Sequence, residues 1–328
     1  MGNLISPPKD TRVIIPPRFH TRGLTRPVEF EDPMSVQFGS MLRREILMDL
    51  HSFAGSFGLD IALAPEIPVT AAACVSLGGS TKSGTIGSGA LNLHFNAFLI
   101  ENLQAVARFS LDHQSGVGGF GMLSYQHSRG VLSAILTQDR VLGVRAESAH
   151  VMMGFDPNRA WCIFRDRGLS LGVSLDSSAR VAGSVSLEKS IPNTDSSYCV
   201  SAKYDEKLTV GFSQHLVTHR KVYNPFEDIK WIANYIDIAV EAVHSDSSTC
   251  VSAGASWQPN KNFLAKLHAS TIQGVLLTLA VRNWWVPNVL GSVSAGLDVT
   301  GEPCLGGRIQ IANWVSDRPE YHLGSYDK

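Results

Sequence analysis

The chain has 328 residues, 44% of them hydrophobic and only 17% charged, and it carries 29 glycines. Its 28 basic and 29 acidic residues leave a formal net charge of -1, which excludes a surface that binds nucleic acid by neutralising phosphates. So high a hydrophobic fraction excludes a disordered chain. A mean hydropathy of +0.03, with no run of roughly 18 apolar residues, excludes a polytopic helical membrane protein.

Residues 1–33 hold six of the 15 prolines (Pro7, Pro8, Pro16, Pro17, Pro27, Pro33), with Lys9, Arg12, Arg18, Arg22 and Arg26 among them. Proline fixes φ and removes a donor, so this segment is expected to be a flexible, basic, extended tail outside helices and central strands. It begins Met1-Gly2-Asn3-Leu4-Ile5-Ser6, a pattern that makes Gly2 a candidate for N-myristoylation. One acyl chain anchors only weakly. The compact apolar core of a secretory signal is missing. The five cysteines are scattered and lack a CxxC pair, so neither a disulfide framework nor a zinc site is expected.

Residues 34–56 change period. Phe38, Leu42, Ile46, Leu50 and Phe53 recur at three- and four-residue spacing, with Arg43, Arg44, Glu45 and Asp49 between them. This predicts one amphipathic helix over 34–53, begun after Pro33 and stopped by Gly55 and Gly58.

From 57 to 312 the period is two. Phe57, Leu59, Ile61 and Leu63 alternate with small or polar residues, and so do Leu169–Leu175, Val181–Leu187, Ile236–Val240 and Val275–Val281. This length accommodates about eighteen strands. The second face is serine, glycine, threonine and alanine rather than a charged solvent face, which suits a wide lumen with the apolar side toward lipid. Closing the sheet satisfies every backbone group, as lipid demands. Trp161, Trp231, Trp257, Trp284, Trp285 and Trp314 are placed at strand ends, where interfacial girdles sit. The fold class is therefore all-β: a transmembrane β-barrel of about 18–19 strands with one amphipathic helix in its lumen. Residues 313–328 form a polar C-terminal tail.

Two motifs imitate enzymes. Gly116–Gly121 matches GxGxxG, but no helix follows, and a hairpin turn is expected. Gly168–Gly172 matches GxSxG inside an alternating strand rather than at a strand-to-helix elbow. The 11 histidines show no ligand spacing. No catalytic residue, metal or cofactor is expected.

A proline-bearing tail, one amphipathic helix and eighteen to nineteen strands in this length resemble the eukaryotic mitochondrial porin superfamily, which includes the voltage-dependent anion channel and the pore subunit of the outer-membrane protein translocase. Gly306-Gly307-Arg308-Ile309-Gln310-Ile311 looks like that family's insertion signal, carried by Gly306, Ile309 and Ile311 in the last strand, with Cys304 where the signal usually has a polar residue. The resemblance implies a pore of the mitochondrial outer membrane (or a plastid envelope), inserted by the barrel assembly machinery through its last strand. Its partners would be membrane lipids, other translocase subunits and transiting polypeptides. The turn Trp257–Asn260 leans toward the translocase pore. Polypeptide passage points to Asp237 and Glu241 as lumen acids; metabolite passage points to Arg108, Lys203, Lys266 and Arg308 as lumen cations. A soluble or peripheral β-rich lipid carrier anchored at Gly2 is the reading from another class. In the lumen, Phe38, Leu42, Ile46 and Leu50 are expected to meet an apolar wall patch, with Arg43, Arg44, Glu45 and Asp49 facing the channel.

Overall fold

In the computed structural model, the described residues form nineteen strands in one sheet and a single α-helix. The first strand is β1 (Arg12–Ile15), and the helix α1 (Ser40–Leu47) follows it. Next come β2 (Ser56–Leu63), β3 (Ala71–Ser80), β4 (Ile86–Ile100), β5 (Leu103–Asp112), β6 (Gly116–His127) and β7 (Gly130–Gln138). The middle holds β8 (Asp156–Asp166), β9 (Leu169–Asp176), β10 (Val181–Ser190), β11 (Ser197–Asp205), β12 (Lys207–Val222) and β13 (Lys230–Ser245). The last are β14 (Ser248–Gln258), β15 (Phe263–Ser270), β16 (Gly274–Arg282), β17 (Val289–Leu297), β18 (Pro303–Ala312) and β19 (His322–Ser325). The structure describes these elements together with residues 16–19, 48–52, 64, 102, 168, 191, 196, 259–262, 271–273, 283, 285–288, 298–302 and 313.

From β2 to β18 each strand pairs antiparallel with the next. Strand β18 also pairs with β2, in parallel, from Gly307↔Phe57 to Ala312↔Ala62. These are seventeen strands among the described residues, against the eighteen or nineteen expected; residues 139–155 lie outside the description. Tight turns make the hairpins possible. Gly274 takes a φ of +83° where a Cβ would lie 2.2 Å from the Leu297 carbonyl oxygen, so only glycine fits.

The alternation read from the sequence becomes an inversion of the usual burial. On β16, Leu276, Thr278, Ala280 and Arg282 are buried, while Val275, Leu277, Leu279 and Val281 are exposed. On β10, Ser184 and Ser186 are buried, and Val181, Val185 and Leu187 are exposed. Register extends this sideways. The apolar face carries the row Leu267–Leu277–Ala295–Leu305 across β15 to β18, each leucine about half exposed.

The helix is shorter in the description than 34–53: it ends at Leu47, and Phe38 lies outside the described residues. Leu50 turns the chain with a left-handed φ of 67°, a conformation that costs a non-glycine residue about 1 kcal/mol. Its side chain is buried with Phe19, Leu264 and Leu290, which offsets that cost. The helix packs on the polar face of β12 to β15. Ile46 and Leu47 rest on Ala239, with Leu42 beside them.

Several expectations are corrected. The GxGxxG run is not a turn but the start of β6, its glycines pairing across to Phe109 and Ser110. Trp161 lies mid-strand in β8, whereas Trp257 closes β14 and Trp285 lies in the β16–β17 turn, both exposed. Trp284 and Trp314 fall outside the described residues. The tail is not wholly unpaired: β1 pairs in parallel with β13 and antiparallel with β19, so a segment of each terminal tail joins the sheet. Prolines 16 and 17 follow β1 and therefore leave its ladder intact.

Candidate functional site

One residue inward from the leucine row, register assembles a polar belt. His215, Asp237, Ser256, Lys266, Thr278, Ser294 and Gly306 stand side by side on β12 to β18, one from each strand. All seven are buried. Each strand contributes the residue type its alternation allows; only pairing brings them into line.

The N-terminal part of the chain lies along this belt. The Lys266 Nζ donates to the carbonyl oxygens of Glu45 and Asp49. Those are carbonyls of the last helical turn and just beyond, and a cation suits the negative end of the helix dipole. His51 Nδ1 lies 2.6 Å from Thr278 Oγ1, and its Nε2 lies 3.2 Å from the Ile46 carbonyl. Since Nε2 faces an acceptor, it carries the proton, and Nδ1 accepts from Thr278. Thr278 and Ser294 hydroxyls are 2.7 Å apart, and the Ser52 backbone N–H donates to Ser294 at 3.0 Å. Burial first, then the nearby Lys266 charge, push His51 down to about 3, against the Ile46 bond and with His268 adding to the fall. It is neutral at physiological pH.

Leu50 meets the apolar residues Leu264 and Leu290 on the wall, while glycines and Ala239 let Ile46 and Leu47 approach closely. A Cβ on Gly254 would lie 2.9 Å from Leu47 Cδ2 and 3.0 Å from the Leu267 carbonyl oxygen. One on Gly306 would lie 2.7 Å from Ser52 Cβ. Gly306 thus takes a packing place beneath residue 52, while Ile309 and Ile311 of the same motif lie on the apolar face, Ile309 exposed.

Among the sequence candidates, Asp237 and Glu241 share the polar face of β13, but neither is a bare channel acid. Asp237 meets His215 Nδ1 at 2.5 Å and accepts from Ser256 Oγ at 3.2 Å. Glu241 pairs with Arg43 at 3.1 Å. Arg43 was expected to face open space with Arg44, yet it is buried, because its carboxylate partner stands on the wall. Arg44 is exposed, and Glu45 and Asp49 are half-buried. Lys266 is wholly buried under the helix rather than facing a channel. Arg308 is exposed, its Nε 3.4 Å from Asp60 Oδ2, which also accepts from Gln310 at 3.2 Å. Lys203 is half-buried in β11 opposite Ser184 and Thr209. Arg108 stands in β5 opposite His94 and Phe120. Gly2 lies outside the described residues.

Sequence reasoning missed His51, His215, Thr278, Ser294 and Gln258. Their signal was present: each strand member among them occupies a polar slot of an alternating strand. A comparison with protein families and with curated proteins finds no match for this sequence.

Proposed function

We propose that the chain is a transmembrane β-barrel that forms a pore in the mitochondrial outer membrane, conducting polypeptides. The observation that carries the reading is the burial inversion: leucines and valines exposed on one face of consecutive strands, serines, threonine and lysine buried on the other. Exposed apolar surface costs about 25 cal/mol per Å² in water, and soluble monomers rarely expose contiguous patches beyond a few hundred Å². Lipid removes that cost. The pairing of β18 with β2, added to the uninterrupted antiparallel succession, supports a ring without edges, as a membrane requires. The polar face is then the lumen, and α1 lies in it. Strand β18 presents Ile309 and Ile311 to lipid and to the assembly machinery.

The wall's treatment of peptide groups favours polypeptides over metabolites. Lys266, Gln258 and Tyr235 each donate to main-chain carbonyls, contacts indifferent to sequence. The metabolite pore remains the second reading, favoured by the exposed cation Arg308. Alkaline carbonate extraction tests insertion: release into the supernatant sinks the barrel and supports the peripheral lipid carrier. In planar bilayers, block by a basic presequence peptide is expected; anion selectivity with voltage closure and no block would favour the metabolite pore.

A further inference from the structure

Residues 12–15 join the sheet as β1, and residues 16–19 continue across the polar face as a ligand lies in a groove. Strand β1 runs parallel to β13 at Val13↔Trp231 and Ile14↔Ile232. Beyond it the main chain is read by side chains. Tyr235 Oη donates to the Pro16 carbonyl at 3.1 Å, and Gln258 Nε2 donates to the Pro17 carbonyl at 2.7 Å. The Phe19 N–H donates to Gln258 Oε1 at 2.7 Å, so one amide side chain clamps both sides of residue 18. Pro16 and Pro17 need no N–H partner and hold the extended form at low entropic cost.

Two side chains are selected. The Arg18 guanidinium lies 3.0 Å from His215 Nε2 and 5.4 Å from the centre of the Tyr235 ring. That imidazole stacks on Tyr235 and is backed by Asp237. With Nδ1–H directed to the carboxylate, Nε2 is left as an acceptor, so this surface suits a cation, and Arg18 stays exposed on it. Phe19 is buried among Leu50, Leu264 and Leu290.

We propose that the wall of β12 to β17 is a binding site for an extended peptide carrying arginine followed by an aromatic residue, the arginine on β12 to β14 and the aromatic ring on β15 and β17, and that residues 12–19 are its resident, displaceable occupant. This rests on the polypeptide-pore reading and adds to it a specific station at which a passing chain exchanges with the protein's own tail. The tail's contacts are those any extended chain with this pair of side chains could make. A tethered occupant has an effective concentration on the order of millimolar, so it weakens a free copy with an intrinsic Kd of about 100 µM roughly tenfold.

The test uses the full chain in lipid nanodiscs and a fluorescent peptide copying residues 12–19, read by anisotropy. Arg18→Ala with Phe19→Ala removes the two selected side chains, so that the tail yields the groove more readily, and is expected to tighten binding of the free peptide about tenfold. Adding Gln258→Leu, or changing the peptide's arginine at the position of Arg18 to glutamine, should remove that binding. If Gln258→Leu fails to insert, Tyr235→Phe removes only the hydroxyl that donates to Pro16 and should weaken the peptide severalfold. Equal affinity for the unaltered and doubly substituted chains, no binding to either, or binding indifferent to all these changes overturns the proposal. Conductance of the same preparations separates the two readings. A conducting chain that ignores the peptide sinks only this site, and a chain that binds it yet passes no ions sinks the pore.

Discussion

Two sectors of the polar face obey the same alternation and use their charges differently. In β12 to β15, Lys266, Glu241 and Asp237 are all engaged: the lysine by helix carbonyls, Glu241 by Arg43, Asp237 by His215 and Ser256. In β18 and β2, Arg308 meets the buried Asp60 at 3.4 Å, and its own side chain stays 42% exposed. Charge placed under a docked segment becomes an anchor, because losing water obliges it to find partners. Charge left on the bare wall keeps its hydration and contributes a field. The buried Asp60 of the second sector is likewise held, by Gln310 and Arg308, so loss of water rather than residue type separates the two roles.

The largest test of this division removes the segment itself. On the proposed pore reading, deleting residues 1–53 should leave a chain that still inserts, with higher single-channel conductance and altered gating; an unchanged conductance would place the helix outside the current path. Next in size is Lys266→Met. The carbonyls of Glu45 and Asp49 lose this donor, at about 1 kcal/mol for each hydrogen bond removed. The variant should show open events resembling the deletion, and a trace identical to the unaltered protein would show that Lys266 is no anchor.

A smaller effect comes from pH. His51 is held near 3 when docked and returns toward about 6.5 if the link comes free. The released form therefore binds a proton that the docked form refuses. Docking is at full strength above about pH 6.5 and weakens as pH falls toward 3, by at most about 1.4 kcal/mol per unit. Lys266 and His268 from β15 face the ring and oppose its charging, Thr278 from β16 bonds it, and the Ile46 carbonyl of α1 favours it. Conductance should rise on acidification, and His51→Gln should flatten that profile. The smallest effect belongs to Arg308→Gln, which should shift reversal potentials toward cations without disturbing the helix. A rise in conductance to the deletion level would mean that the bare sector also holds α1.

Much of this is legible in the order of the amino acids. The two-residue period of Leu169–Leu175 and Val275–Val281 announces strands with one apolar and one small, polar face, because successive side chains point to opposite sides. The helical spacing of Leu42, Ile46 and Leu50 announces α1 by the same geometry at another period. The candidate site was legible only in part. Asp237, Glu241, Lys266 and Arg308 could be assigned to a face, but what each one meets depends on segments far away in the chain.

The sequence by itself therefore determined local period, face and element type, since these follow from backbone geometry and the nearest few residues. Tertiary structure alone decided the belt, because aligning His215, Asp237, Lys266, Thr278 and Ser294 takes a register summed over six strands, and a slip of one residue would replace it with Leu216, Ile236 and Leu279. It also decided that Arg43 turns to the wall and that a proline-bearing tail finds Gln258, 239 residues away. Such pairings depend on which donor and acceptor are brought within about 3 Å of each other, and no local pattern carries that information.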